Sequence, residues 1–223
     1  MPDRLAETLA ALEAAASPQL RADMAPRYGI VTDNALGVPM ATMQALAKRL
    51  GRDHDLAAAL WESGGYEART VAALIDDPAA VTPAQMDRWC AAFDNWAIVD
   101  TVCFKLFDQA PHAFGRVDAW ANRDDEFGRR AAFALLASLA LHGRGTDADF
   151  LSRLPLIEAA ATDQRNFVKK GVSWALRAIG TRKSQPLRVA ARDLAARLAA
   201  SPDKSARWVG KDAQKAFARA DGA

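Results

Sequence analysis

Three segments of this chain carry residues where a helical pattern ordinarily holds something bland. Trp96 and Asp100 lie in "DNWAIVDTV", Arg129 and Arg130 in "EFGRRAAFALL", and Trp174 in "NFVKKGVSWALRAIG". If the three segments stack side by side, two indoles, one carboxylate and a guanidinium converge on one groove. Such a groove suits a flat cationic group attached to a phosphate chain.

The spacing within each segment sharpens this. Trp96 and Asp100 are four apart, so on a helix they lie one turn from each other on one face. Asp100 sits among apolar neighbours, and a carboxylate in such a place needs a partner or a function. The plain alternative is a core tryptophan and a surface acid. Arg129 and Arg130 precede a long apolar run, and at least one of the two is expected to be a solvated surface group. Lys170, Trp174 and Arg177 share a face by the same three-and-four rule, beside Lys169. A tryptophan there suits core packing. An aromatic flanked by bases is also how proteins hold nucleic acid, by stacking and phosphate contacts.

The elements that must position these residues read as helix almost throughout. Apolar residues recur at three- and four-residue spacing, and no alternating strand run of useful length occurs. "PDRLAETLAALEAAA" is a first amphipathic helix. "VPMATMQALAKRLG" carries Pro39 near its start and Gly51 past its end. Asp53 caps "DHDLAAALWES", and Thr82 caps a helix opening with Pro83. Helices are then predicted in "YEARTVAALI", "NWAIVDTVCFKLF", "HAFGRVDAWAN", "DEFGRRAAFALLASLALHG", "DADFLSRLPLIEAAA", "DQRNFVKKGVSWALRAIG", "SQPLRVAARDLAARLAAS" and "SPDKSARWVGKDAQKAFA".

The helices repeat in pairs. Arg130, Lys170 and Lys211 each open a second helix before small apolar residues, at spacings of 40 and 41. About 40 residues is the period of a two-helix HEAT-type repeat. Such pairs cannot bury their apolar faces alone, so they stack into an α-α superhelix, a right-handed solenoid with a concave face. Asp100, Arg130 and Lys170 then fall at matched places along it. No flexible linker interrupts the stack, so residues 1–223 are expected to form one domain.

Composition removes several classes. The chain has 223 residues, 51% hydrophobic and 25% charged, an ordinary soluble balance. No apolar stretch is long enough for a membrane helix. The acid-bearing N-terminus reads as neither signal nor transit peptide, which predicts a cytoplasmic location. Cys90 and Cys103 lie in apolar helical patterns, and His54, His112 and His142 have no ligand spacing, so neither a disulfide framework nor a metal site is expected. No glycine-rich phosphate loop or nucleophile elbow occurs, and no cofactor is expected. The net charge of +2 hides an asymmetry: residues 1–112 sum to −6 and residues 113–223 to +8. A basic C-terminal half points to an anionic partner.

With these residues in place, the chain resembles the bacterial DNA alkylation-repair glycosylases built from HEAT-like repeats. The resemblance runs over roughly residues 20–217. It is carried by "MAPRYG", "ALGVP", "ALAKRL", "ALWESGGYEART", "NWAIVD", "RRAAFALL" and "FVKKGVSWALR", in order and spacing. It implies removal of cationic alkylated bases such as 3-methyladenine and 7-methylguanine from duplex DNA, without a metal. It also implies a monomer working with the nucleoid. By the same resemblance Asp100 is the catalytic aspartate and Trp96 and Trp174 are the cleft tryptophans. Arg130 holds a phosphate, and Tyr28 lies near the DNA backbone. Arg129, Lys169, Lys170 and Arg177 complete the expected DNA-binding set. The chain departs from the family at Gln44, where a basic residue is common, and in the strip "GIVTDNALGVPM". Two other readings stay open: a DNA-binding solenoid without catalysis, and a protein-binding scaffold.

Overall fold

A computed structural model describes residues 2–222, which form fourteen α-helices and one short 3₁₀ turn, with no strand among the described residues. The helices are α1 (Pro2–Ala14), α2 (Pro18–Tyr28), α3 (Met40–Leu50), α4 (His54–Glu62), α5 (Tyr66–Ile75), α6 (Pro83–Ala91) and α7 (Trp96–Lys105). The 3₁₀ turn, Phe107–Gln109, follows. Then come α8 (Ala113–Trp120), α9 (Glu126–Leu141), α10 (Asp147–Leu151), α11 (Leu154–Ala160), α12 (Asn166–Gly180), α13 (Gln185–Ala199) and α14 (Lys204–Asp221). The chain divides into two compact units, Met1–Pro111 and His112–Ala223.

The starts that sequence chemistry predicts are the starts observed. Asp53 accepts from the Leu56 N–H, and Thr82 from the Gln85 N–H with Pro83 at the first helical position. Each such cap contributes about 1 kcal/mol by satisfying a donor the helix leaves open. Two segments differ from expectation. Helix α2 has no strong apolar period, and Pro26 lies inside it, so it is not evident in the sequence. It forms because Ser17 caps it, Pro18 opens it, and Gly29 closes it in the left-handed region at φ 62°. The stretch 147–160, expected as one helix, breaks into α10 and α11 before Pro155.

In the first unit, α5 packs against α3, α4 and α7. Its centre is an aromatic cluster in which the Trp61 and Trp89 rings stack at 4.0 Å. In the second unit, α12 packs between α9 and α14, while α8, α11 and α13 back these three. This is the paired-helix layering that the 40-residue period predicts. Residues 130–140 of α9 are all buried, which makes α9 the spine of this unit. Helices α13 and α14 approach so closely that a Cβ on Gly210 would lie 2.2 Å from the Ala199 nitrogen. Only glycine permits that contact.

Candidate functional site

In the first unit the candidate residues are held by the start of α7. The Asn95 side chain accepts from the Ala97 and Ile98 N–H groups at 3.1 and 3.0 Å. This cap fixes the first turn and therefore the direction of Trp96. The Trp96 indole donates its Nε1–H to the Tyr28 carbonyl at 3.1 Å, tying α7 to the end of α2. Asp100 follows one turn later and is half-buried. Tyr28, Trp96 and Asp100 line one cavity of about 310 Å³. Most of the remaining wall is apolar, from side chains such as Leu20, Met24, Ile30, Val38, Met40 and Met43.

One wall of this cavity depends on a buried acid that sequence reasoning missed. The Glu67 carboxylate is 1% exposed and accepts the backbone N–H groups of Leu36, Gly37 and Val38 at 2.7–3.2 Å. These bonds fold the connection between α2 and α3 onto α5. Gly37 makes the turn possible: its φ is 79°, and a Cβ there would lie 2.4 Å from the Ser17 carbonyl oxygen. Glu67 reads in the sequence as an ordinary acid in a first helical turn, and its spacing from Gly37 carries no local signal. Beside it, burial and the Glu67 charge push the Tyr66 phenol up to about 12, so it stays neutral. Glu67 and Asp100 are the two carboxylates of the lining, and Glu67 is committed to the wall.

In the second unit the expected DNA-binding residues divide. Arg130 is only 5% exposed and donates to the Phe167 carbonyl at 2.7 Å, bracing the start of α12 against α9. Arg129 turns away and pairs with Asp163 at 3.1 Å. Neither arginine is the solvated surface group expected for at least one of them. The reason is local: Asp163 stands beside Arg129, and α12 closes over Arg130, with Gly171 lying against it. Asp163 also binds Arg165 at 2.6 Å, and that bond, with the Arg129 charge added, holds its carboxyl below the usual range.

Lys170 is exposed on α12, and Trp174, one turn on, is half-buried. Arg177, on the same face by spacing, pairs with Asp212 and bonds the Ser173 hydroxyl at 3.2 Å. Lys169 lies with its ammonium 5.0 Å from the Trp208 ring centre. The structure thus joins Tyr28, Trp96 and Asp100 in one cavity, and groups Lys170, Trp174 and Arg177 along α12 over a buried Arg130. Among the described residues no cluster of three or more His, Cys, Asp and Glu could hold a metal ion. No helix of the described residues is long and apolar enough to cross a membrane.

Comparison with known proteins bears on this arrangement. No curated protein matches the chain. One solved structure superposes with a TM-score of 0.77 at 18% identity, over 95% of this chain and 94% of that one. It represents a new family of proteins related to the HEAT-like repeat DNA glycosylases with affinity for branched DNA structures. At that identity the match establishes the fold, a HEAT-like helical-repeat architecture. A designed armadillo repeat protein aligns with a TM-score of 0.38 at 15% identity, over 80% of this chain and 94% of that one. The model of the DNA alkylation repair enzyme family matches residues 8–217, a span that includes α7 with Trp96 and Asp100 as well as α9 and α12. With nearly the whole chain inside that match, this protein belongs to the DNA alkylation repair enzyme family.

Proposed function

We propose that this protein is a DNA glycosylase that excises cationic N3- and N7-alkylpurines from duplex DNA. The observation that carries the reading is Asp100: a half-buried carboxylate, one turn from Trp96, on a cavity whose lining is otherwise mostly apolar or aromatic. DNA as partner is supported by family membership and by the affinity for branched DNA of the protein on which this chain superposes.

The chemistry needs little from the enzyme. An N-alkylated purine already carries a positive charge, so the bond from the sugar C1′ to N9 breaks with its electron pair returning to the base. The base leaves neutral, and positive charge develops on the deoxyribose. A fixed carboxylate where water is partly excluded stabilises that charge, because electrostatic interaction strengthens as the local dielectric falls. Water then adds at C1′ and releases a proton. Trp96 and Trp174 offer flat apolar faces to sugar and backbone. Lys169, Lys170 and Arg177 supply phosphate contacts, with Arg130 supporting their helix from beneath. Action on the chromosome carries with it a cytoplasmic, nucleoid-associated monomer.

The deciding experiment is release of 7-methylguanine from methylated duplex DNA by the wild type beside Asp100→Asn. The variant keeps the shape and removes the charge, so it is expected to bind the duplex normally and to excise roughly 10²–10³ times more slowly. A wild type that binds duplex but releases no cationic base leaves a non-catalytic DNA-binding solenoid. Equal activity of the two proteins would remove Asp100 from the mechanism.

A further inference from the structure

The second unit ends in a feature that excision does not use. Trp208 on α14 is 39% exposed, and it stands among lysines. Lys204, Lys211 and Lys215 lie four, three and seven residues from it on the same helix. At 3.6 residues per turn these four positions fall within an arc of about 60°. All are exposed. None of the three lysines makes an ion pair or hydrogen bond among the described residues.

The acids of α14 are meanwhile committed elsewhere. Asp212 pairs with Arg177, Asp203 caps the helix through the Ala206 N–H, and Asp221 pairs with Arg188 and Arg192. The stripe is therefore uncompensated positive charge around one accessible indole. A fourth cation, Lys169 from α12, already lies 5.0 Å from the ring centre. Beside the indole is an open hollow of about 540 Å³ lined by Lys169, Lys204 and Gln164 among others.

The geometry points to a second DNA site on α14, for a short single strand whose unpaired base stacks on Trp208 while the lysines bind the flanking phosphates. The assignment of DNA rests on the function proposed above; the selection of an unpaired strand does not. A base inside a duplex is stacked on both faces and has none to offer an indole, whereas an unpaired base does. Lysines bind phosphate as point charges without reading sequence, so the site is sequence-tolerant. From Lys204 to Lys215 the stripe runs about 17 Å at 1.5 Å per residue, which spans several phosphates.

The test is fluorescence anisotropy with labelled oligothymidylate, oligouridylate of equal length and a blunt duplex, on the full chain. Trp208→Ala is expected to weaken oligothymidylate binding about tenfold, with duplex binding changed less than twofold. Trp208→Phe keeps a stacking ring and is expected to stay within about threefold of wild type. Replacing Lys204, Lys211 and Lys215 together by Gln is expected to lower the slope of log K against log salt by about 2 on the single strand. Equal losses on single strand and duplex in Trp208→Ala would overturn the site, as would no loss on either, or a Phe variant as weak as Ala. Tighter binding of oligouridylate would overturn DNA as the ligand. Release of 7-methylguanine by Trp208→Ala should match wild type. A wild type that shows this single-strand binding but excises nothing would sink the glycosylase reading and leave this site standing.

Discussion

Asp100 owes its candidacy to what surrounds it, and the surroundings depend on Glu67. A buried carboxylate receiving three backbone N–H bonds holds the connection between α2 and α3, and that connection walls the cavity. Glu67→Gln keeps the size of the side chain but replaces one acceptor oxygen with a donor that faces N–H groups. A buried donor left without an acceptor costs about 1–3 kcal/mol. Chemical denaturation should show a loss of that size with an unchanged denaturant slope, and excision should fall further than stability explains as the cavity wall loosens. A variant as stable and as active as wild type would mean that the turn is held by Gly37 and packing alone. Four-residue spacing and an acid among apolar residues are local signals that single out Trp96 and Asp100, whereas Tyr28 is named only through the family resemblance. Glu67 and Tyr66 escaped it because their partners lie on other elements or within a turn, and long-range pairing leaves no mark in a single sequence.

At the scale of elements, the helices most legible in the sequence were those with a side-chain cap, such as α4 and α6, or a clean apolar period, such as α12. Helix α2 was not, because its apolar period is weak and Pro26 argues against it. What joins elements was equally hidden. Asp163 takes Arg129 from α9 and Arg165 from the approach to α12, while its backbone carbonyl accepts the Ser205 hydroxyl from α14. Arg165 above all lowers its carboxyl pKa in the fold. A depressed carboxyl contributes stability that is present above its unfolded value, about 3.9, and is lost as pH falls through the lower folded value. The difference in Tm between wild type and Asp163→Asn should therefore be constant above about pH 5 and shrink below about pH 4. A difference that stays constant down to the lowest pH at which both fold would show that Asp163 acts through shape and not through charge.

For the molecule as a whole, the charge imbalance follows the structural division. Residues 1–112 sum to −6 and 113–223 to +8, and the boundary between the compact units falls at Pro111 and His112. The first unit carries the catalytic candidate on an acidic background, and the second carries most of the exposed lysines. An acidic background does not attract a polyanion, so under the proposed function the free energy of holding DNA comes from the second unit. Condensed counterions released from DNA make that contribution visible as a salt slope of about −0.9 per phosphate neutralised on duplex. Lys170→Ala should make the slope shallower by about 0.9 and weaken all duplexes alike, lesion or none. Lys48→Ala, on α3 of the first unit and equally exposed, should leave the slope where it was. Equal changes in the two variants would mean that both units hold phosphate, and that the basic half is a consequence of composition and not the seat of binding.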